Sequence, residues 1–158
     1  MKQRPPEQPL ALLAKNVASL LELVPELRTH GAVLAALLPG PYTLILSNPA
    51  KRYRWLTGSS PETIGVRVPE LDGPGADVLE QVGAVVATSA NLHGGPDPRR
   101  LEDVPVEIRA GAAAIVDGGD LLGTPSTVLD LTGSEPSVVR EGAVPAAEAL
   151  ERAAAVLG

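Results

Sequence analysis

At 158 residues with 44% hydrophobic side chains, the chain is long enough to bury a core and short enough to be read as one domain. It contains no cysteine, which excludes disulfides, thiolate chemistry and cysteine-based metal sites. A formal charge of -6 argues against nonspecific coating of nucleic acid, a mode that needs a broadly basic surface, but leaves room for a local basic pocket.

The opening Met1-Lys2-Gln3-Arg4-Pro5-Pro6 has no apolar region of the kind a secretory signal carries, and no apolar run approaches the ~18 residues of a membrane helix. A cytoplasmic protein is the expectation. After Pro9, "LALLA" predicts a short strand; Asn16 then offers an N-cap, and Val17, Leu20, Leu21 and Val24 recur as one helical face that stops near Pro25. A second helix is predicted in "LRTHGAVLAALLPG", with Val33, Leu34, Leu37 and Leu38 on one side and Pro39-Gly40-Pro41 as its stop. "YTLILS", "TIGVRVP", "AVVATS", "AAAIVD", "STVLDLT" and "SVVRE" are β-rich runs bounded by turn residues and predict further strands. Helices are expected at residues 75 to 82, where Val78, Leu79 and Val82 share a face, and at 145 to 157, where Ala146, Leu150, Ala153 and Leu157 do. There is no internal repeat and no linker. This order predicts an α+β chain with α/β-type layers: a mixed, twisted, open sheet covered by helices.

Several predicted strands end in side chains capable of chemistry. Arg67 interrupts "GVRVP", Ser89 and Asn91 follow "VVAT", Ser126 and Thr127 open "STVLDL", and Arg140 ends "SVVR". Taken singly, each suits a solvated strand position or a turn cap. Taken together with Lys2 and Arg4, they supply guanidinium, ammonium, hydroxyl and amide groups suited to a nucleotide or an acyl phosphate. Neither a P-loop nor a G-x-G-x-x-G fingerprint is present, and His30 and His93 form no zinc pattern. Asp117 and Asp130 read as turn and strand-end residues. A basic and aromatic cluster, Lys51, Arg52, Tyr53, Arg54 and Trp55, reads first as a solvated loop.

The order of motifs resembles that of the YrdC-like threonylcarbamoyl-AMP synthases. The matching pieces are "MKQRPPEQPLALL", "LLPGPYTLIL", "TIGVRVP", "ATSANLHGGP", "VDGG" with "GTPSTVLDL", and "VVREGAV", which run through almost the whole chain. The resemblance implies a YrdC-like fold in a single domain over residues 1–158. It implies a nucleotidyltransferase that joins L-threonine, bicarbonate and ATP, with Mg²⁺ on the nucleotide, into threonylcarbamoyl-adenylate and pyrophosphate. The product feeds the threonylcarbamoyladenosine modification of tRNA, and double-stranded RNA binding is attributed to the family's concave sheet face. Carried over by motif, Lys2, Arg4 and Arg140 would serve catalysis by neutralising phosphate charge. Gln8, Thr63, Ser89, Asn91 and Asp97 would join them in contacting ATP, while Arg67, Ala87 and Ser126 would hold threonine.

In the family a strand pair with P-T-[DE]-T-x-Y-G-L precedes the K-x-R segment. This sequence opens at Met1-Lys2, so the expectation is an N-terminally shortened domain lacking one threonine-pocket residue and part of the sheet. Leu13 stands where some members have a threonine-contacting histidine, Gln8 where Asn or Lys is usual, and His93 where a serine precedes glycine. Two alternatives stay open: a noncatalytic nucleotide- or RNA-binding module, and a carbamoyl-adenylate-forming relative. Structured RNA and tRNA-modification proteins are partners implied by the resemblance alone.

Overall fold

Alternation of buried and less buried residues, the mark of a strand with one face on a core, runs through Ala11–Ala14, Thr63–Arg67 and Thr127–Asp130. The computed structural model describes residues 7–92 and 94–157. Among them six strands form one sheet: β1 (Ala11–Ala14), β2 (Tyr42–Ser47), β3 (Thr63–Arg67), β4 (Ala84–Ala87), β5 (Thr127–Asp130) and β6 (Ser137–Arg140). Their spatial order is β4-β1-β3-β2-β5-β6. The β1/β3 and β2/β5 pairs are parallel and the other three antiparallel, giving the mixed sheet expected from the element order.

The helices among these residues are α1 (Val17–Leu23), α2 (Gly31–Leu37), α3 (Pro74–Val82), α4 (Val106–Gly111) and α5 (Ala146–Leu157). Asn16 caps α1 as predicted, its side chain accepting a hydrogen bond from the Ser19 amide at 2.8 Å. A 3₁₀ turn at Pro25–His30 then delivers Leu27 to the core. Leu20 of α1, Val33, Leu34 and Leu37 of α2, and Ala149 and Ala153 of α5 pack in one cluster with Leu12, Leu44, Leu46, Ile64, Val66 and Leu129 of the sheet. These three helices therefore cover one face. Burial of this apolar layer stabilises the fold by roughly 25 cal/mol for each Å² of apolar surface removed from water.

Three expectations are corrected. "AAAIVD" is not a strand: it follows α4 without regular structure, and Ile115 and Val116 are exposed. A β-rich run becomes a strand only by pairing, and none of the described strands pairs with it. On α3 only Leu79 is buried, while Val78 and Val82 face solvent, because this helix touches chiefly β4 at the sheet edge. On α5 the buried line is Ala149 and Ala153, with Leu150 and Val156 partly covered and Leu157 exposed. The close approach of α2 to α5 selects this face of small side chains.

Candidate active site

The side chains of opposite parity decorate the uncovered face of the sheet, and there they line a cavity of about 350 Å³. Each of the six strands contributes one residue to its wall: Ala87 of β4, Ala11 of β1, Arg67 of β3, Thr43 of β2, Val128 of β5 and Arg140 of β6. The register brings them together, with Ala11 opposite Ala87, Thr43 opposite Val128, and Val128 opposite Arg140. Pro9 and Leu10 enter ahead of β1, Thr88, Ser89 and Asp97 come from the loop after β4, and Pro125 and Ser126 from the approach to β5.

Arg140 owes its direction to an irregularity. Leu129 pairs with Val138 but Val128 pairs with Arg140, so Val139 is an extra residue in β6. In a regular strand Val138 and Arg140 would share a face; the bulge lets Val138 pack on the core while Arg140 turns onto the open face. There one guanidinium nitrogen donates to the Ser126 carbonyl at 2.9 Å and to the Ser126 hydroxyl at 3.3 Å. The Ser126 hydroxyl is also bonded to that of Thr43 at 2.8 Å, a contact buried between β2 and β5.

Arg67 is held differently. Its Nε is buried and has no hydrogen-bond partner among the described residues. Burial pushes its pKa below the ordinary guanidinium value, and the positive charge of Arg140 pushes it the same way. Two cations thus share a cavity in which Asp97 is the one carboxylate on the wall among the described residues. A partly desolvated guanidinium with an unused donor and a like-charged neighbour is an anion site, and its planar fork suits a carboxylate or phosphate.

The loop after β4 closes the other side. Ser89 donates to Asn91 Oδ1 at 2.7 Å, and Asn91 Nδ2 donates to the Gly95 carbonyl at 2.5 Å. Asn91 thereby braces the loop that presents Thr88 and Ser89.

Of the residues singled out in the sequence, Arg67, Ala87, Ser89, Asp97, Ser126 and Arg140 meet in this cavity. Asn91 stands behind Ser89 rather than on the wall, Gln8 lies in the exposed turn before Pro9, and the Thr63 hydroxyl donates to the Ser60 carbonyl, away from the cavity. Lys2, Arg4 and His93 lie outside the described residues. Asp117 and Asp130 are the turn and strand-end residues expected, accepting from the amides of Gly119 and Thr132. Thr43 was not singled out; its signal is its place in "PGPYTLIL", at the start of a strand and just after a Gly-Pro turn.

The Sua5/YciO/YrdC family model, described as "Telomere recombination", matches residues 1–142. The chain belongs to this family. It is 32% identical over 151 residues to the threonylcarbamoyl-AMP synthase of Pyrococcus abyssi, covering 93% of this chain and 44% of that protein. It is 36% identical over 141 residues to the threonylcarbamoyl-AMP synthase of Escherichia coli O1:K1 / APEC, covering 84% of this chain and 72% of that one. The structure of P. abyssi Sua5 complexed with L-threonine superposes with a TM-score of 0.80 at 30% identity, over 96% of this chain and 45% of the other. E. coli YciO superposes with a TM-score of 0.65 at 30% identity, over 91% and 70%. The chain spans about half the length of several curated relatives that it matches.

Proposed function

We propose that this chain carries the threonylcarbamoyl-AMP synthase site, which makes threonylcarbamoyl-adenylate and pyrophosphate from L-threonine, bicarbonate and ATP. The observation that carries this reading is the pair Arg67 and Arg140 in one cavity, with the buried Nε of Arg67 unused. Family membership and the relatives' names support it, as does the threonine complex of P. abyssi Sua5.

The chemistry asks for this charge. The threonine amine and bicarbonate condense to a carbamate with loss of water; a carbamate oxygen then attacks the α-phosphorus of ATP, and the bond to pyrophosphate breaks. An anion attacks an anion, so the cost is repulsion between like charges, which cations at fixed positions relieve without a covalent nucleophile. Arg67 pairs with the threonine carboxylate, and Ser126 with the backbone near Ala87 completes the amino-acid pocket. Arg140, Ser89 and Asp97 face the nucleotide, with Asn91 bracing Ser89 and Lys2 and Arg4 assigned to the phosphates. Gln8 and Thr63, the weaker nucleotide positions of the resemblance, lie off the cavity wall and carry no role in this reading. Mg²⁺ arrives on the triphosphate as part of the substrate. The work is done in the cytoplasm, and the adenylate is passed to tRNA modification.

The test is pyrophosphate release from MgATP and bicarbonate with and without L-threonine. Threonine-dependent release that disappears in Arg67→Ala is the expected result; release indifferent to threonine overturns the reading. A second reading, an RNA- or nucleotide-binding module without turnover, draws on the loop at residues 51–55, where Trp55 is 70% exposed beside Lys51 and Arg54. ATP binding with no pyrophosphate release would favour it.

A further inference from the structure

Thr127 is fully buried, points to the side of the sheet opposite the cavity and touches none of the cavity wall's open space. Its hydroxyl is nevertheless saturated, as a hydroxyl can donate once and accept twice. Oγ1 donates to the Val144 carbonyl at 2.6 Å and accepts from the amides of Val144 at 3.0 Å and Gly142 at 3.1 Å. The chain leaving β6 is thus pinned to the first residue of β5. Gly142 makes the approach possible: a Cβ there would overlap the Pro125 carbonyl oxygen and lie 2.5 Å from the Ser126 carbonyl carbon. The amide of Ala143 adds a bond to the Pro125 carbonyl at 2.9 Å.

This latch sits immediately beyond the bulge at Val139. A bulged ladder competes with the regular one, in which Val139 would face Val128 and Arg140 would rotate toward the core face. Something must favour the bulged register, and in it the exit from the strand makes three hydrogen bonds to the Thr127 hydroxyl. We propose that Thr127 is a positioning residue for the candidate active site: with Gly142 it locks the bulged register of β6 and so keeps the Arg140 guanidinium on Ser126 and in the cavity. The structural part of this proposal is independent of the proposed reaction; its consequence for ligand affinity rests on that reading.

The experiment compares Thr127→Val, which removes the hydroxyl at nearly constant volume, with Thr127→Ser, which keeps it. NMR on the full chain reads the cross-strand contact between Val128 and Arg140 and the heteronuclear NOE of the Arg140 side-chain Nε–H; calorimetry reads MgATP affinity. In Thr127→Val the Val128 to Arg140 contact is lost, the Arg140 side chain becomes mobile and MgATP binds about tenfold more weakly, a size expected for a misplaced binding group. Thr127→Ser restores all three. A Thr127→Val protein that melts at lower temperature but keeps the contact and the rigid Arg140 has lost stability alone, and overturns the proposal. If Thr127→Val does not fold, Gly142→Ala carries the test, since it retains the hydroxyl but pushes the exit off Pro125 and Ser126; an undisturbed Arg140 there also overturns it. Failure of the wild-type chain to bind MgATP would count against the proposed reaction, while the NMR comparison would still decide the latch.

Discussion

Arg67 and Arg140 reach into one cavity from β3 and β6, two strands that β2 and β5 separate in the sheet. Neither guanidinium has an ion-pair partner among the described residues. Their shared placement is unfavourable for the free protein and favourable for an anion bound between them.

The first prediction follows from that conflict. The pKa of Arg67 is lower in the folded chain than in the unfolded one, so the unfolded state holds the proton more tightly and stability rises with pH only where Arg67 deprotonates, far into the alkaline range. At neutral pH the charge is a constant cost. Arg67→Met therefore melts no lower than the wild type, while affinity for L-threonine falls by about 2–5 kcal/mol, as expected for removing one partner of a buried charge pair. Differential scanning calorimetry and titration calorimetry on the same protein read both effects.

Gly58 packs against the segment that leads into the cavity wall. It sits at a φ of +60°, and a Cβ there would overlap the Glu7 carbonyl oxygen. Around it the Ser59 amide donates to Glu7 at 3.1 Å and the Leu10 amide to Leu56 at 2.8 Å, which fastens residues 7–10 beside the cavity. Gly58→Ala is expected to cost about 1–3 kcal/mol through left-handed strain and displaced backbone, and to weaken ligand binding because Pro9 and Leu10 form part of the wall. Urea titration checks the first effect and calorimetric binding the second.

Asn48 is fully buried and organises the loop after β2. Its amide donates to the carbonyls of Arg52 and Pro61, both at 3.0 Å, and its carbonyl accepts from the Arg52 amide at 3.0 Å. Asn48→Ala leaves those backbone groups without partners and should destabilise the fold by about 2–3 kcal/mol. The loop residues Lys51 and Tyr53, which adopt positive φ, would lose protection from hydrogen exchange first.

Glu26 and Arg52 give a pH signature. Two hydrogen bonds from the guanidinium, at 2.8 and 2.9 Å, hold the Glu26 carboxyl below its ordinary pKa. A carboxyl with a depressed folded pKa contributes stability that is complete above its unfolded pKa and is lost as pH falls through the folded value. Glu26→Gln should melt below the wild type at pH 7, and the difference should close as the pH drops below the usual carboxylate range. A series of thermal melts against pH checks the sign.

Much of the fold was legible in the sequence because it follows local periodicity: the cap at Asn16, the α2 stripe and six of the strands lie where patterning placed them. "AAAIVD" failed because pairing is a long-range property that propensity does not report. In the site, Arg67, Ser126 and Arg140 were legible as polar groups at the ends of apolar runs. Thr43 was not, since a threonine in a β-rich run reads as an ordinary strand former until its hydroxyl is seen against Ser126.

By itself the sequence determined most of the strands and helices, a mixed sheet covered by helices, and a set of cationic and hydroxylic side chains with the motif order of one family. The tertiary structure decided which of those side chains meet. That depends on register, and a single extra residue, Val139 in β6, reverses the face on which Arg140 falls. Periodicity within a segment records which residues share a face, but whether Arg140 faces the core or Arg67 is settled by hydrogen bonds between β5 and the exit from β6, between residues that local pattern does not connect.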